Sequence, residues 1–323
     1  MDGKNVLRKI GLLLSVAACG ALVTSCGDDE TPTPTPTSSD TATPTPTPTA
    51  AVDFSLTADF SATSFNANYV FAFFTPDGGG TEVFNGGTRL DGTSSITFVA
   101  SPDSASFVFP DLTDPVEFGA TDFVSVTATE RQYAAGDMAL TLFLPFDNVM
   151  RVSYEIDNQT FTQDTVDGIL RSQRVAIFFN NVTTTDEITT TLSYTGPVDV
   201  FGGDPGVTEA GTLSAANPTF TVTPGATSSD DDTVSGTIEV FEDVMGTPTL
   251  VAVLDLDATV TASGVFEGTG SDAANDLDIG FVGTLAGDNR EEIFILFAAR
   301  DVDVAGDPDD GDDTVFVGSF IGN

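Results

Sequence analysis

The sequence predicts an all-β protein, in which an eight-stranded antiparallel up-and-down barrel follows a smaller antiparallel β-sheet domain. Three observations support this prediction. Threonine, valine and phenylalanine are abundant in short runs bounded by Gly, Asp, Asn or Pro. Several runs, such as Met-Ala-Leu-Thr-Leu-Phe-Leu at 138–144, alternate in the way that half-buried strands do. No stretch of about twelve residues has helical periodicity.

The barrel prediction depends on the regular spacing of strands in the domain 188–323. The eight predicted strands are residues 188–196, 212–223, 233–242, 248–260, 263–269, 277–285, 291–300 and 313–321. Closure of such a sheet removes its exposed edges and leaves room inside for side chains or one small ligand. We assign phenylalanines to that interior as core residues: Phe220, Phe241, Phe266, Phe281, Phe294, Phe297, Phe316 and Phe320. Residues 53–187 form the preceding sheet domain, with the apolar run 175–179 as a central strand.

The first 25 residues have the pattern of a secretory signal peptide. Lys4, Arg8 and Lys9 precede an apolar stretch at 10–23 that is too short to span a bilayer as a helix. The stretch ends Leu-Val-Thr-Ser-Cys at 22–26, the form of a bacterial lipobox, so Cys26 is the predicted lipidation site. Val-Ala-Ala-Cys ending at Cys19 has the same form and stays an alternative, although the abrupt change of composition follows Cys26.

Residues 26–52 form a predicted lipid-anchored linker. Thr-Pro alternates at 31–36 and again at 43–48. Alternating proline fixes φ and removes amide donors, which excludes helix and sheet. At about 3.1 Å per residue, polyproline II of this length reaches about 75 Å. The linker is therefore expected to hold the folded body away from the lipid surface.

The charge balance is strongly acidic. The chain has 49 acidic and 10 basic residues, for a net charge of −39. Loss of residues 1–25 removes one acid and three bases, which leaves 48 acids, seven arginines and −41. Nucleic acid and anionic lipid surfaces would be repelled, so neither is an expected partner. Because the acids are spread along the chain, a saline habitat is favoured, and a basic partner is the alternative.

Missing residue types exclude most catalytic chemistry. The chain has no histidine and, after processing, no lysine and no cysteine beyond Cys26. Ser-His-Asp, Cys-His and Ser-Lys systems and His/Cys zinc sites are therefore excluded. A two-carboxylate glycosidase stays formally open, but no pair of acids stands out. We predict a protein that is not an enzyme and has no cofactor.

Haem and calcium are two further ligand classes for which the sequence has candidate residues. Haem would need a tyrosine or methionine ligand, and most of these residues lie in strand-like contexts where packing is expected: Tyr69, Tyr133, Tyr154, Tyr194, Met138, Met150 and Met245. The Asp-rich segments at 229–232 and 307–313 could supply oxygen ligands to calcium but lack EF-hand spacing. We interpret both as solvated turns and assign no metal site.

Residues 188–323 resemble the β-barrel domain of the transferrin-binding protein B family of surface lipoproteins. The resemblance rests on short motifs: Tyr-Thr-Gly at 194–196, Val-Ser-Gly-Thr-Ile at 234–238, Gly-Phe-Val-Gly at 280–283, Ala286 through Glu291-Glu292-Ile293, and Phe-Val-Gly-Ser-Phe at 316–320. It implies a barrel and a surface lipoprotein that binds a ligand. No residue here can be matched to a transferrin-binding position.

These observations together predict a lipid-anchored outer-membrane lipoprotein on the cell surface. Gly27 rather than aspartate follows Cys26, which favours sorting to the outer membrane. The expected partners are the membrane, through the N-terminal lipid, and an extracellular protein or small solute bound by a monomer. The ligand-binding residues are unknown at this stage. The alternative is a structural envelope lipoprotein without a specific ligand.

Overall fold

The computed structural model describes residues 51–163, 165–227, 231–301 and 314–323, and these residues form β-structure without any helix. They belong to one compact unit, Pro48–Asn323. Every paired strand is antiparallel, as predicted. In the described ranges, no helix is long and apolar enough to cross a membrane. The signal peptide, the linker and Cys26 lie outside the described residues.

The N-terminal half consists of the first eleven strands, packed as two sheets. The strands are Phe60–Phe65 (β1), Asn68–Pro76 (β2), Val83–Leu90 (β3), Thr93–Ala100 (β4), Asp103–Val108 (β5), Val116–Gly119 (β6), Phe123–Val126 (β7), Glu130–Ala135 (β8), Met138–Phe143 (β9), Val149–Gln163 (β10) and Val166–Phe179 (β11). One sheet has the order β1-β4-β5-β6 and the other β3-β2-β11-β10-β9-β8-β7. Their facing side chains, such as Phe98, Phe107 and Tyr154, form one apolar core.

The C-terminal half consists of ten more strands in two five-stranded sheets. The strands are Leu192–Thr195 (β12), Val198–Gly203 (β13), Leu213–Ala215 (β14), Thr219–Thr223 (β15), Asp232–Val244 (β16), Thr247–Val260 (β17), Val265–Asp272 (β18), Leu277–Ala286 (β19), Glu292–Asp301 (β20) and Val315–Gly322 (β21). One sheet pairs β12-β15-β16-β14, with β17 also on β16, and the other pairs β13-β21-β20-β19-β18.

The strand β17 shows why these sequences form half-buried strands. Ala252, Leu254 and Leu256 are buried, while Asp255 and Asp257 between and beyond them are exposed. Successive side chains of a strand point to opposite faces, so this alternation puts the apolar residues on one side. That side faces the core that the two sheets of the C-terminal half share.

The predicted eight-stranded barrel is wrong for the described residues, in which the hydrogen-bonded sheets do not close into a ring. Ten strands replace the eight predicted, because β13 follows Pro197 in a segment that was not predicted as a strand, and Pro218 divides the predicted strand 212–223 into β14 and β15. Proline has no amide hydrogen to donate to a ladder. The sheets do not close into a barrel because β17 and β18 lie side by side without ladder hydrogen bonds. A Cβ on Gly270 would lie only 2.6 Å from the Asp255 carbonyl oxygen.

A side chain joins the two strands at this unpaired seam. The Asp272 carboxylate accepts hydrogen bonds from the Val253 amide at 2.8 Å, the Ala274 amide at 3.0 Å and the Asn275 Nδ2 at 2.6 Å. Burial works to raise the pKa of Asp272, but these hydrogen bonds outweigh it and hold the pKa below its ordinary value. Asp272 therefore acts as a charged clasp between β17 and β18.

We expect Asp272→Ala to lower the free energy of unfolding by about 1–3 kcal/mol at pH 7, because the substitution removes the charged acceptor of three hydrogen bonds, one of which joins β17 to β18. A lowered folded-state pKa contributes stability above the unfolded value of about 3.9, and that contribution is lost as the pH falls through the folded-state pKa. Urea unfolding at pH 7 and below pH 3 should therefore show a smaller difference between wild type and variant at the lower pH. The control is Asp278→Ala, an exposed position on the same hairpin. An equal loss in both variants would contradict the clasp.

The two halves are joined by a third apolar cluster. Phe71 of β2 stacks on Phe201 of β13 with ring centroids 3.8 Å apart, and Phe179 contacts Phe294 at 4.8 Å. Ala67, Tyr69 and Val317 are among the buried residues of this cluster. The contact between the halves is therefore an apolar core, which favours a fixed geometry. The domain boundary placed between residues 187 and 188 stays a prediction.

Polar contacts complete the junction between the halves. Both carboxylate oxygens of Glu292 lie 2.9–3.0 Å from the Asn148 amide nitrogen. Burial raises the pKa of Glu292, and the Asn148 hydrogen bonds oppose that shift. Arg151 forms an ion pair with Asp199, which also crosses from one half to the other. These pairs satisfy polar groups that the apolar junction would otherwise bury unpaired.

Six of the eight predicted core phenylalanines lie in the core of the C-terminal half. Phe294 is buried instead in the junction between the halves, on the other face of its sheet. Phe241 is only half-buried. It lies at a register shift in the pairing of β16 with β17, between Val240 and Phe241. Such an irregularity changes the direction of the side chains that follow it.

Candidate binding surface

Most arginine side chains of the body are bound to its own groups. Arg131, Arg151, Arg171 and Arg174 each form an ion pair with at least one carboxylate. Arg290 donates to the Asp186 carbonyl at 2.8 Å and Arg300 to the Thr88 hydroxyl at 2.7 Å. Arg89 has a buried Nε without a hydrogen-bond partner among the described residues. Burial lowers the pKa of Arg89, and Asp91 and Glu267 oppose that shift. The excess carboxylates therefore dominate the surface charge.

The hairpin that joins β16 to β17 exposes apolar side chains at its turn. Val244 pairs with Thr247, which leaves Met245 and Gly246 as a two-residue loop with φ of 54° and 83°. Met245 is 100% exposed, and Val244 and Leu250 are 48% and 47% exposed. The Gly246 amide donates to the Asp243 carboxylate at 2.5 Å, which braces the turn. We call residues 244–250 the hairpin tip.

An open depression of about 300 Å³ lies beside the hairpin tip. Its apolar lining includes Leu250, Val251 and Phe316, and its acidic lining includes Asp204 and Glu242. The remaining residues of its lining are Gly203, Thr208, Leu213, Asn275, Leu277 and Thr314. Lining residues come from both sheets of the C-terminal half, so the depression forms where the ends of their strands lie close together. Because the depression is open to solvent, it suits one or two side chains of a partner better than an enclosed small molecule.

A second depression, of about 250 Å³, shares Leu213 with the first and lies at the junction between the halves. Phe73 and Phe201 line it, beside Arg171. The Arg171 guanidinium lies 4.7 Å from the centre of the Phe73 ring and donates two hydrogen bonds of 2.8 Å to Glu82. The pKa of Arg171 is raised, chiefly by its hydrogen bond to Glu82, so this cation is held in place.

A third depression, of about 500 Å³, lies at the other end of the β16–β17 ladder. Its lining is mainly polar and includes Asp186, Glu187, Asp231 and Arg290. Arg290 Nη2 donates to the Asp186 carbonyl, and the carboxylates of Asp186, Glu187 and Asp231 offset its charge there. The hairpin tip is the better candidate surface despite its smaller depression, because contact between apolar groups is the larger source of binding free energy.

The residues singled out as possible ligand-binding groups occupy different environments. All four tyrosines are buried, as is Met150, so these residues pack in the cores. Of the segment 229–232, Asp231 and Asp232 are described, and Asp232 accepts from the Gly225 amide at 3.0 Å. The segment 307–313 lies outside the described residues. In the part of the chain that the structure covers, no group of three His, Cys, Asp or Glu side chains is placed to hold a metal ion.

Met245 is the residue that sequence reasoning overlooked. It was considered only as a haem ligand, although the predicted strands 233–242 and 248–260 left it between them. Met-Gly in a short gap between two alternating runs is the available signal for a two-residue hairpin loop. That signal indicates a turn, and in the structure Met245 and Gly246 form the two-residue loop.

Comparison with known proteins leaves the family open. No family model matches the chain, and no curated protein matches it. Among solved structures, a point mutant of the vaccine antigen transferrin-binding protein B from Haemophilus parasuis is similar, with a TM-score of 0.30 and 11% sequence identity. The match covers 82% of this chain and 60% of that chain. The similarity is weak, so the family resemblance stays a prediction.

Proposed function

We propose that this chain is a lipid-anchored bacterial lipoprotein of the outer membrane, whose all-β body binds an extracellular protein or small solute at the cell surface. The anchor is the Cys26 thioether, and the Thr-Pro linker carries the body away from the lipid. The body acts as a monomer and is not an enzyme. The lipid anchor, the surface location and the binding role are predicted from the sequence, and the candidate binding surface comes from the structure.

The observation that carries the binding role is the hairpin tip. An acidic, highly charged protein that needed only solubility would gain nothing from a fully exposed methionine beside exposed valine and leucine. Apolar side chains that project from a turn are suited to burial against a partner. The apolar junction between the halves supports the same role, because a rigid body loses little conformational entropy on binding.

The residue content supports binding rather than catalysis. The absence of histidine from the whole chain removes the most common general base near neutral pH. The serine and threonine hydroxyls therefore lack the usual activating partner.

Protease treatment of intact cells tests the surface location. We expect added proteinase K to cut the linker and release the body, while a periplasmic marker protein stays intact. Cleavage only after the outer membrane has been permeabilised would contradict a surface location.

A deletion strain separates the binding role from a structural envelope role. We expect a growth defect confined to media in which one class of nutrient is limiting, with unchanged sensitivity to detergent and restoration by the wild-type gene. Increased detergent sensitivity without any nutrient-dependent defect would contradict the binding role and favour the structural alternative.

A further inference from the structure

The turn at the hairpin tip has a backbone conformation that methionine rarely adopts. Both loop residues have positive φ, 54° at Met245 and 83° at Gly246. A two-residue loop of this kind strongly favours Asn-Gly or Asp-Gly, because asparagine and aspartate tolerate positive φ better than other side chains do. Methionine at the first position therefore carries a conformational cost with no compensating contact, since its side chain is fully exposed.

Among the described residues, three of the five other non-glycine positions with positive φ have the favoured residue types. Asn66, Asn158 and Asp276 have φ between 50° and 56°. Thr165 and Arg290 are the other exceptions, and the Arg290 guanidinium donates to a backbone carbonyl. Met245 is thus an apolar side chain placed at a strained turn and held out in solvent. Backbone strain of this kind is concentrated at sites where a side chain must be presented to a ligand.

The surroundings of Met245 specify the chemistry of a partner. Val244 and Leu250 are further exposed apolar side chains of the hairpin tip, and Leu250 lines the depression together with Val251 and Phe316. Glu242 lines the same depression, and no arginine does. A partner segment would therefore meet an apolar strip flanked by carboxylates. Charge complementarity favours lysine or arginine beside the apolar groups of such a segment.

We propose that the hairpin tip and its depression bind a cationic amphipathic segment of a protein partner. Apolar side chains of that segment pack on Met245 and enter the depression, while its cations pair with Glu242 and Asp204. Methionine suits this role because its flexible, polarisable side chain adapts to varied apolar partners. This inference rests on the proposed binding function and gives it a surface and a partner chemistry. At the hairpin tip, a basic partner is therefore the preferred explanation of the acidic residues, although a saline habitat is favoured for the chain as a whole.

The test uses the full mature chain and three synthetic peptides of equal length. One peptide is amphipathic with leucine and lysine, one replaces lysine by serine, and one replaces leucine by serine. We expect the Leu/Lys peptide to bind most tightly in a fluorescence-anisotropy titration. Equal binding of the uncharged Leu/Ser peptide, or of the apolar-depleted Lys/Ser peptide, would overturn the assigned chemistry.

Met245→Asn is the decisive variant, because it replaces methionine by the residue that the turn prefers. We expect about tenfold weaker binding of the Leu/Lys peptide, together with a thermal unfolding midpoint equal to or above that of wild type. Phe65→Ser removes another exposed apolar side chain, 68% exposed on β1, and should bind within about twofold of wild type. Glu242→Gln should weaken binding at low salt and reduce its salt dependence.

Unchanged binding by Met245→Asn, or an equal loss in Phe65→Ser, would overturn the assignment of this surface. Absence of Leu/Lys binding to the wild-type chain would also overturn it. The proposed function is judged separately, because protease release from cells and the deletion phenotype do not depend on these peptides.

Discussion

Replacement of Cys26 by alanine is expected to abolish lipid attachment completely. Cells grown with a labelled palmitate analogue should label the wild-type protein and leave Cys26→Ala at background, because the thiol that accepts the diacylglycerol is gone. Acyl chains contribute about 0.8 kcal/mol per buried CH₂, so a multiply acylated chain stays on the membrane. The variant should also lose protease release from intact cells, since an unprocessed precursor would not reach the outer surface.

Cys19→Ala is the matched control for this experiment. Cys19 lies within the apolar stretch of the signal peptide and ends the alternative lipobox. Its substitution should leave palmitate labelling and surface location unchanged. If Cys19→Ala abolishes labelling and Cys26→Ala does not, the anchor is Cys19 and the proposed start of the mature chain is wrong.

Phe71→Ala is expected to destabilise the whole body by about 3–5 kcal/mol, the usual cost of truncating a buried phenylalanine to alanine. The Phe71 side chain is buried in the junction and stacks on Phe201 from the other half. Because the halves share this cluster, we expect one cooperative transition in which both lose stability. Urea unfolding followed by circular dichroism and tyrosine fluorescence measures this change, and the absence of tryptophan makes tyrosine the reporter.

Phe65→Ala is the control, because it removes the same type of side chain from a largely exposed position on β1, the strand that precedes β2 in sequence. The change in unfolding free energy there should stay within about 0.5 kcal/mol. Two separate transitions in the wild type, or a Phe71→Ala variant as stable as Phe65→Ala, would contradict a junction that couples the halves.

Local patterns in the sequence predicted the all-β class and most strands of the C-terminal half. The alternation of Ala252, Leu254 and Leu256 with acidic residues is visible without any structure and correctly identifies the buried face of β17. Proline also marks two strand breaks in this half. The predicted strand 188–196 ends correctly before Pro197, but the predicted strand 212–223 runs through Pro218, where the structure has a break. The local pattern therefore identified the buried face of a strand more reliably than it identified the number of strands.

The arrangement of the sheets was not predictable in the same way. Whether β17 and β18 form a ladder depends on the curvature of both sheets, which no local pattern encodes. The burial of Phe294 depends on the N-terminal half packing against β20. Likewise, the Tyr69 hydroxyl and the Ser319 hydroxyl lie 3.3 Å apart although 250 residues separate them in sequence. Such long-range contacts decide which face of a strand is buried.

The candidate surface was predictable only in part. The Met-Gly loop follows from the two strands around it, but the exposure of Met245 and its positive φ needed the structure. The depression beside it combines residues as distant in sequence as Asp204 and Phe316. Composition indicated an acidic surface, and the structure adds that the protein's own groups engage or bury the arginines.

The mass of the N-terminal peptide of the native protein tests directly whether the body is anchored by lipid at Cys26. We expect a peptide that begins at Cys26 and carries acyl chains on its sulfur and its amino group. A peptide that begins elsewhere, or one that begins at Cys26 without acyl chains, would contradict the lipid anchor and with it the proposed surface lipoprotein.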